Sequence, residues 1–268
     1  MDQRHENISQ KLLAGDEIGR VGSMETVARS TVNGYQRMGR SSYFRSIVIP
    51  AYNEEARING ILLALTDKFP CQDIVVVCDG QDDTVGVVND LSIKFPNIRV
   101  LSFNDRLGKG GALIEGFKAA KGEEICFVDA DESIGVDDLE NMFLALRDAD
   151  GVIASRRLKE SKILIEQPFK RRLASKAFNI FVKALFGLPF KDTQCGAKIF
   201  KRNAIYAILD ELITSGFEID VEILWRLRNK GYAIIEYPIT WKHSEGSKFR
   251  LSHSWGMLIS LIKIRLIG

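Results

Sequence analysis

Short apolar stretches typical of buried strands alternate with segments of helical periodicity from residue 46 to residue 155. The predicted strands are 46–50, 73–78, 98–101, 125–128 and 151–155. Apolar residues at helical spacing, such as Ile58, Ile61 and Leu65, occupy much of the chain between them. Because strands joined by helices over short connections pair in parallel, this alternation predicts an α/β fold with a mostly parallel central sheet and helices on both faces.

Two carboxylates, Asp129 and Asp131, directly follow the fourth predicted strand. Ligands of parallel α/β sheets bind at the carboxyl ends of the strands, and residues two apart on an extended chain point to the same side. Two like charges this close are costly without a cation, and hard divalent cations prefer oxygen ligands. The pattern indicates a Mg²⁺ or Mn²⁺ site that carries a substrate's phosphates. A polar strand end that enters a loop is the alternative.

Polar and aromatic residues also follow the first two predicted strands. Tyr52 and Glu54 come after the first strand, and Asp79 comes after the second. Tyr52 could stack on a ring, while Asp79 could accept a hydrogen bond from a base. Each residue alone can be explained as a polar residue that ends a strand. Their joint placement beside Asp129 and Asp131 points to one ligand-binding crevice.

Basic residues are concentrated in one block, although the net charge of +2 gives no argument for binding nucleic acid. The block contains eight cations, opposed only by Glu160 and Glu166. The cations are Arg156, Arg157, Lys159, Lys162, Lys170, Arg171, Arg172 and Lys176. Such a block is usually a solvated face, but it can also bind a phosphate or an anionic membrane.

Other sequence features disfavour several kinds of site. The four cysteines form no C-x-x-C pair and the three histidines are scattered, so we expect no zinc site. The run GKGGA at residues 108–112 lacks the spacing of a triphosphate-binding loop. It predicts either a helix start that helps to close a donor site or a plain helix N-terminus. Without a stretch of about 18 apolar residues or a signal peptide, we expect a reducing, cytoplasmic compartment.

We expect three segments along the chain: a polar N-terminal extension at 1–44, a single α/β domain at 45–250 and a C-terminal helix at 251–268. Within the domain, the second half predicts helices at 169–185, 202–212 and 220–230, an extended piece at 196–200 and a strand at 233–238. The C-terminal segment is apolar apart from Lys263 and Arg265, which suits an amphipathic helix lying on a membrane. A core helix with both charges outward is the alternative.

Several motifs together resemble a known family. The strings VIPAYNEE at 48–55, CDG at 78–80, GKGGA at 108–112 and DAD at 129–131 are similar to the N-terminal signature of family 2 glycosyltransferases with the GT-A fold. Downstream, DTQCGAKIF at 192–200, IDVE at 219–222 and EGSK at 245–248 resemble the dolichyl-phosphate sugar synthases, and the glucosyl branch more than the mannosyl branch. The resemblance extends from about residue 46 to the C-terminus.

This resemblance implies roles for individual residues. The donor's nucleoside would be held by Pro50, Tyr52, Glu54, Val77 and Asp79. The diphosphate would contact Asp129, Ala130 and Asp131, with Asp129 and Asp131 as metal ligands, and further donor phosphate contacts would come from Lys242 and Lys248. The acceptor phosphate would be bound by Arg156, Arg171 and Ser175. Asp192, Asp220 and Glu222 would orient sugar hydroxyls or the acceptor arginines, with structural ion pairing as the alternative.

The sequence departs from the family pattern at several positions. Ser133 stands where the mannosyl synthases carry a glutamine metal ligand, and Lys242 stands where they usually carry arginine. The segment 79–84 is one residue shorter than usual, which leaves the roles of Asp82 and Asp83 open. We expect no counterpart of the N-terminal membrane anchor that eukaryotic glucosyl enzymes of this kind carry.

The resemblance implies an inverting, metal-dependent transfer of a hexose to a polyprenyl or dolichyl phosphate at the cytoplasmic face of a membrane. UDP-glucose is favoured as the donor over GDP-mannose. One alternative is transfer to a glycan hydroxyl, which needs a general base such as Asp192 or Asp220. A non-catalytic nucleotide- or lipid-binding protein and a nucleotidyltransferase are further alternatives.

Overall fold

The computed structural model describes residues 44–166, 168–244 and 253–267, of which 169–171, 253–255 and 267 are described by their main chain only. The predicted extension at 1–44, except Phe44, lies outside the described residues. Lys248 lies outside them as well, together with the EGSK motif. For Arg171, only the main-chain position on a helix is described.

The described residues form nine strands and eight α-helices. The strands are β1 (Arg45–Ala51), β2 (Asp73–Cys78), β3 (Ile98–Ser102), β4 (Glu124–Val128), β5 (Gly151–Ser155), β6 (Lys162–Ile165), β7 (Ala197–Lys201), β8 (Ile234–Pro238) and β9 (Thr240–Lys242). The helices are α1 (Ile58–Lys68), α2 (Thr84–Lys94), α3 (Gly108–Ala119), α4 (Val136–Ala145), α5 (Phe169–Phe186), α6 (Arg202–Tyr206), α7 (Ile219–Asn229) and α8 (His253–Ile267). Every strand predicted between residues 46 and 155 is confirmed.

The central sheet has seven strands in the order β3-β2-β1-β4-β7-β5-β8. All neighbours pair in parallel except β7, which is antiparallel to both β4 and β5. The prediction of a mostly parallel sheet is therefore confirmed. The extended piece predicted at 196–200 is an interior strand of this sheet. β6 and β9 form a separate, parallel two-stranded sheet.

Helices cover both faces of the sheet, as expected. On β1, Ile47 and Ile49 pack into one apolar cluster with α1, α2 and α4. Val48 points to the opposite side and joins a second cluster with α3, α5, α7 and α8. This alternation follows from the two-residue period of a strand.

The C-terminal half differs from the sequence prediction in two places. The helix predicted at 202–212 is interrupted, because α6 ends at Tyr206 and only a 3₁₀ turn follows at Leu209–Glu211. Helix α8 buries Leu261 and Ile264, yet it also exposes Leu266 to 81%. Since apolar residues lie on both of its faces, an amphipathic helix is not confirmed. None of the helices in the described ranges is long and apolar enough to cross a membrane.

Candidate active site

The carboxyl ends of β1, β2 and β4 border an open cleft, the position at which ligands of parallel α/β sheets bind. The residues predicted from the sequence that line it are Pro50, Tyr52, Glu54, Asp79, Asp129, Ala130 and Asp131. The cleft is also lined by Lys109 of the glycine-rich run, and by Arg57, Arg106 and Phe217, to which sequence reasoning gave no role there. The predicted convergence of strand ends in one crevice is therefore present.

Asp79 and Tyr52 are both engaged by Arg106. The Arg106 guanidinium lies 3.4 Å from the centroid of the Tyr52 ring and forms an ion pair with Asp79. The Asp79 carboxylate also accepts hydrogen bonds from the backbone N–H groups of Leu107 and Gly108, at 2.9 and 2.8 Å. A base that stacked on Tyr52 and bonded Asp79 would therefore meet Arg106. The sequence signal for Arg106 was its position two residues before the glycine-rich run.

The loops after β1 and β2 are locked together by Asn53. Its φ is 53°, and its Oδ1 accepts hydrogen bonds from the backbone N–H groups of Gln81 (2.8 Å) and Asp82 (3.3 Å). A Cβ on Gly80 would lie 2.4 Å from that same oxygen, so the approach requires glycine. Asp82 in turn accepts from the backbone N–H of Glu55 at 3.1 Å. The segment 79–84 thus links the carboxyl end of β2 to the loop that follows β1.

The glycine-rich run begins α3 and allows a close backbone approach. Gly108 has a φ of 75°, and a Cβ there would lie 2.3 Å from the carbonyl oxygen of Ser215. A Cβ on Gly110 would lie 2.1 Å from the carbonyl oxygen of Thr214, and the Gly110 N–H donates to Ser215 O at 2.8 Å. This contact brings Phe217 to the cleft. The run was predicted to be either a helix start that helps to close a donor site or a plain helix N-terminus. Its position at the cleft favours the first of these.

Four alternating charges extend from the sheet interior to the cleft. Lys198 of β7 forms an ion pair with Asp220 at the start of α7. Lys109 Nζ lies 3.0 Å from Asp220 Oδ2 and 3.0 Å from Asp129 Oδ1. The Lys198, Asp220 and Lys109 side chains are at most 9% exposed, whereas Asp129 is 38% exposed. We call these four residues the charge chain.

Burial and neighbouring charges shift the pKa values along the charge chain. Burial lowers the pKa of Lys109, but the charges of Asp129 and Asp220 outweigh this effect and raise it overall. Burial raises the pKa of Asp129 despite the attraction of Lys109. For Asp220, the charges of Lys109 and Lys198 outweigh burial and lower the pKa. Asp220 is therefore held in its ionised form and is a poor proton acceptor.

Asp131 is oriented by the turn that follows it. Its Oδ1 accepts a hydrogen bond from the Ser133 N–H at 3.0 Å, and Glu132 between them has a φ of 53°. The carbonyl oxygen of Ser133 accepts from the Lys242 N–H at 3.1 Å. Lys242 Nζ is 3.7 Å from Glu132 and 47% exposed, so it lies beside the Asp131 turn rather than in the cleft lining.

The carboxylates of Asp129 and Asp131 fit part of a divalent cation's coordination shell. They supply oxygen ligands of the type that Mg²⁺ and Mn²⁺ prefer, and both line the cleft. Gly196 makes room for this arrangement, because a Cβ there would lie 2.2 Å from Asp129 Oδ2. Within the described residues, no group of three or more His, Cys, Asp and Glu side chains is arranged to hold a metal ion. Further ligands would therefore come from substrate oxygens and water.

A second, basic pocket of about 400 Å³ is lined by Arg156 and Arg157 and by residues of β6, α5 and β9. Arg156 and Ser175 line it as predicted, and Arg157, Arg172 and Lys176 are cations that the sequence motifs did not assign. Arg157 Nη2 donates to Ser175 Oγ at 2.9 Å. The charge count within the basic block was the sequence signal for these additional residues.

Arg156 is fixed in the basic pocket by a buried ion pair with Asp192. Its Nε and Nη2 donate to the two Asp192 oxygens at 2.7 and 2.8 Å. Burial alone would raise the pKa of Asp192, but the Arg156 charge and hydrogen bonds hold it at about 2. Asp192 therefore orients an arginine of the pocket, which is one of the roles considered for it.

Two of the predicted residues lie away from both pockets. Val77 is fully buried in the core beneath α3, so nothing supports contact of its side chain with a nucleoside. Glu222 is also fully buried and accepts hydrogen bonds from Thr214 Oγ1 at 2.7 Å and Arg226 Nε at 2.9 Å. Its role is structural, because it fastens the segment before α7 to that helix.

Comparisons with known proteins agree with this geometry. Residues 46–233 match the model of "Glycosyl transferase family 2". A dolichyl-phosphate beta-glucosyltransferase of Saccharomyces cerevisiae is 31% identical over 96% of this chain and 83% of its own length. The enzyme of the same name from Drosophila melanogaster is 31% identical over 78% of this chain and 70% of its own length.

A solved structure shows the same fold. Glucosyl-3-phosphoglycerate synthase from Mycobacterium tuberculosis, crystallised with Mn²⁺, UDP and phosphoglyceric acid, superposes with a TM-score of 0.62 at 19% identity. The match covers 84% of this chain and 78% of that one. By its sequence and its fold, the chain belongs to glycosyl transferase family 2 and is a glycosyltransferase of the GT-A fold.

Proposed function

We propose that this protein transfers glucose from UDP-glucose to the phosphate of a polyprenyl or dolichyl phosphate, in a reaction that needs Mg²⁺ or Mn²⁺. The main support is the presence of a cleft that contains the carboxylates of Asp129 and Asp131 and of a basic pocket that contains Arg156 and Arg157. The two sites are linked by a main-chain contact: the carbonyl oxygen of Ser133, in the turn after Asp131, accepts a hydrogen bond at 3.1 Å from the N–H of Lys242, which follows Trp241 of the basic pocket. The names of the two dolichyl-phosphate glucosyltransferases support the same reaction.

The chemistry of a phosphate acceptor fits the side chains present. A phosphate monoester has a second pKa of about 6, so it is an anionic nucleophile without the help of a general base. The two acids considered as bases are unsuitable, because Asp192 has a pKa of about 2 and the pKa of Asp220 is also lowered. This observation favours a phosphate acceptor over the glycan hydroxyl alternative.

The proposed mechanism is a single displacement with inversion at the anomeric carbon. The cations of the basic pocket would align the acceptor phosphate, while the cleft would hold the nucleoside diphosphate as the leaving group. Asp129 and Asp131 would hold the metal ion, which supplies positive charge to the departing diphosphate when bound. Arg57, Arg106 and Lys109 in the cleft and Lys242 beside it are among the cations that could stabilise the same leaving group.

Peripheral attachment to the cytoplasmic face of a membrane completes the proposal. Ile259 and Leu266 on α8 are exposed to 54% and 81%, and Ile180 on α5 is exposed to 68%. The two helices are in contact, since Arg265 Nε donates to Leu185 O at 3.3 Å. Exposed apolar residues beside the cations of the basic block suit a bilayer with anionic headgroups, from which a polyprenyl chain would be taken.

A transfer assay with two donors and two acceptors tests the proposal. Purified protein is incubated with Mn²⁺, radiolabelled UDP-glucose or GDP-mannose, and either polyprenyl phosphate or the matching polyprenol. We expect label in the organic phase only with UDP-glucose and polyprenyl phosphate. Label from GDP-mannose would contradict the donor, and transfer to polyprenol would contradict the phosphate acceptor. Nucleotide binding without turnover of either donor would favour a non-catalytic binding protein.

A further inference from the structure

Lys198 is an unusual residue for the centre of a sheet. Its side chain is fully buried on β7, and its ammonium lies 5.2 Å from the centroid of the Phe127 ring. Its ammonium donates to Cys195 O at 2.9 Å and also contacts the Asp220 carboxylate. Removing two charges from water is costly, and an apolar pair of similar volume often stabilises a fold as well or better. Stability alone therefore does not account for this arrangement.

The charge chain reaches the cleft at its last two residues, Lys109 and Asp129. Lys109 bridges Asp220 and Asp129 at 3.0 Å on each side, so its ammonium is fixed between two carboxylates. The second oxygen of Asp129 lies against Gly196, where a Cβ would be only 2.2 Å away. The backbone N–H of Asp129 donates to Gly196 O at 2.9 Å, which anchors the main chain at the same place. The Asp129 carboxylate is thus held from both sides.

We propose that Lys198 and Asp220 are positioning residues that act through Lys109 to fix the Asp129 carboxylate for a metal–nucleoside diphosphate. Neither residue lines the cleft, so both act without touching the ligand. The inference rests on the proposed function only in assigning that ligand to the cleft. Partners that orient a metal ligand from behind typically contribute about 10- to 100-fold to metal affinity or activity.

A test needs to distinguish two effects of a substitution: the loss of a fixed position for Lys109 and Asp129, and the change in electrostatic potential at the cleft. Asp220→Asn removes a negative charge, and a simple field effect would strengthen the binding of the anionic UDP. Lys198→Met removes a positive charge, and a simple field effect would strengthen the binding of Mn²⁺ alone. Positioning predicts the opposite in both cases, because Lys109 loses its fixed place against Asp129.

The experiment measures binding rather than turnover. Mn²⁺ binding is followed by electron paramagnetic resonance, and UDP binding in the presence of Mn²⁺ by calorimetry, for wild type, Lys198→Met and Asp220→Asn. We expect Lys198→Met to weaken Mn²⁺ binding and Asp220→Asn to weaken UDP binding, each by about 10-fold or more. Unchanged or tighter binding in these measurements would overturn the proposal. If Asp220→Asn does not fold, the sign of the Mn²⁺ effect in Lys198→Met decides alone.

Glu222→Gln is the matched control for loss of stability. Glu222 is a buried carboxylate on α7 like Asp220, but its partners are Thr214 and Arg226. We expect this variant to lower the melting temperature and leave both affinities unchanged. An equal loss of affinity in Glu222→Gln would reduce the role of Asp220 to general stability and overturn the inference. Wild type that binds Mn²⁺ and UDP but transfers nothing to lipid would contradict the proposed acceptor without affecting these binding results.

Discussion

Asp192→Asn tests the buried ion pair that holds the basic pocket together. The Asp192 side chain is 2% exposed and that of Arg156 is 18% exposed, so solvent screens their electrostatic attraction only weakly. Asparagine keeps the shape of the side chain, but its amide offers only one acceptor oxygen to the guanidinium. Arg156 would then be a largely buried cation without its counter-charge, which is a strongly destabilising situation.

The magnitude follows from the pKa of Asp192. Its value of about 2 in the folded chain, against an ordinary 3.8, corresponds to roughly 2–3 kcal/mol of stability. Because the folded-state pKa is the lower one, this stability is fully present well above pH 4. It is lost as the pH falls towards 2, with about half remaining at pH 3. The difference between wild type and Asp192→Asn should shrink over the same range.

Urea unfolding at pH 7 and at pH 3 measures this difference. Glu115→Gln serves as the control, since Glu115 pairs with Lys118 on the surface, where the two side chains are 35% and 53% exposed. We expect the control to cost less than about 0.5 kcal/mol at either pH. A loss of unfolding free energy in Asp192→Asn that is no larger than in the control would contradict the stabilising role of the ion pair. A loss as large at pH 3 as at pH 7 would contradict it as well.

The remaining predictions concern the glycine contact, the metal ligands and the membrane face. Gly110→Ala should destabilise the fold by about 1–3 kcal/mol, whereas Gly135→Ala, which meets nothing within 4 Å, should change the melting temperature little. Asp131→Ala should abolish metal-dependent turnover with an unchanged melting temperature; retained turnover would remove Asp131 from the metal site. A double variant with Ile259→Glu and Leu266→Glu should weaken flotation with anionic vesicles but leave Mn²⁺–UDP binding intact, and undiminished flotation would argue against membrane contact through α8.

Sequence patterns were sufficient to predict the framework of the cleft. The strand pattern placed Tyr52, Asp79 and Asp129 at strand ends, and parallel strands bring those ends to one edge of the sheet. The strand order of the second half could not be derived in this way, because β7 enters the sheet antiparallel between β4 and β5. Apolar periodicity identifies a strand but does not indicate which strands it pairs with in the sheet.

The charged contacts were the least predictable part. Lys198 is fully buried, whereas composition rules expect lysine at the surface. Its partner Asp220 is 22 residues away in the chain, and Arg156 and Asp192 are 36 residues apart. Such pairings depend on how the strands and helices pack, so local sequence patterns contain no direct signal for them. The sequence of helix α8 likewise does not indicate which of its apolar residues pack against the domain; the structure buries Leu261 and Ile264 and exposes Ile259 and Leu266.

The proposed reaction moves glucose alone from the donor to a lipid phosphate. UDP-glucose labelled with tritium in the sugar and with radioactive phosphorus in its β-phosphate distinguishes the bonds that break. With polyprenyl phosphate and Mn²⁺, the account predicts tritium in the organic phase and all radioactive phosphorus in water-soluble UDP. Both labels in the lipid, or tritium in a water-soluble glycan with none in the lipid, would contradict it.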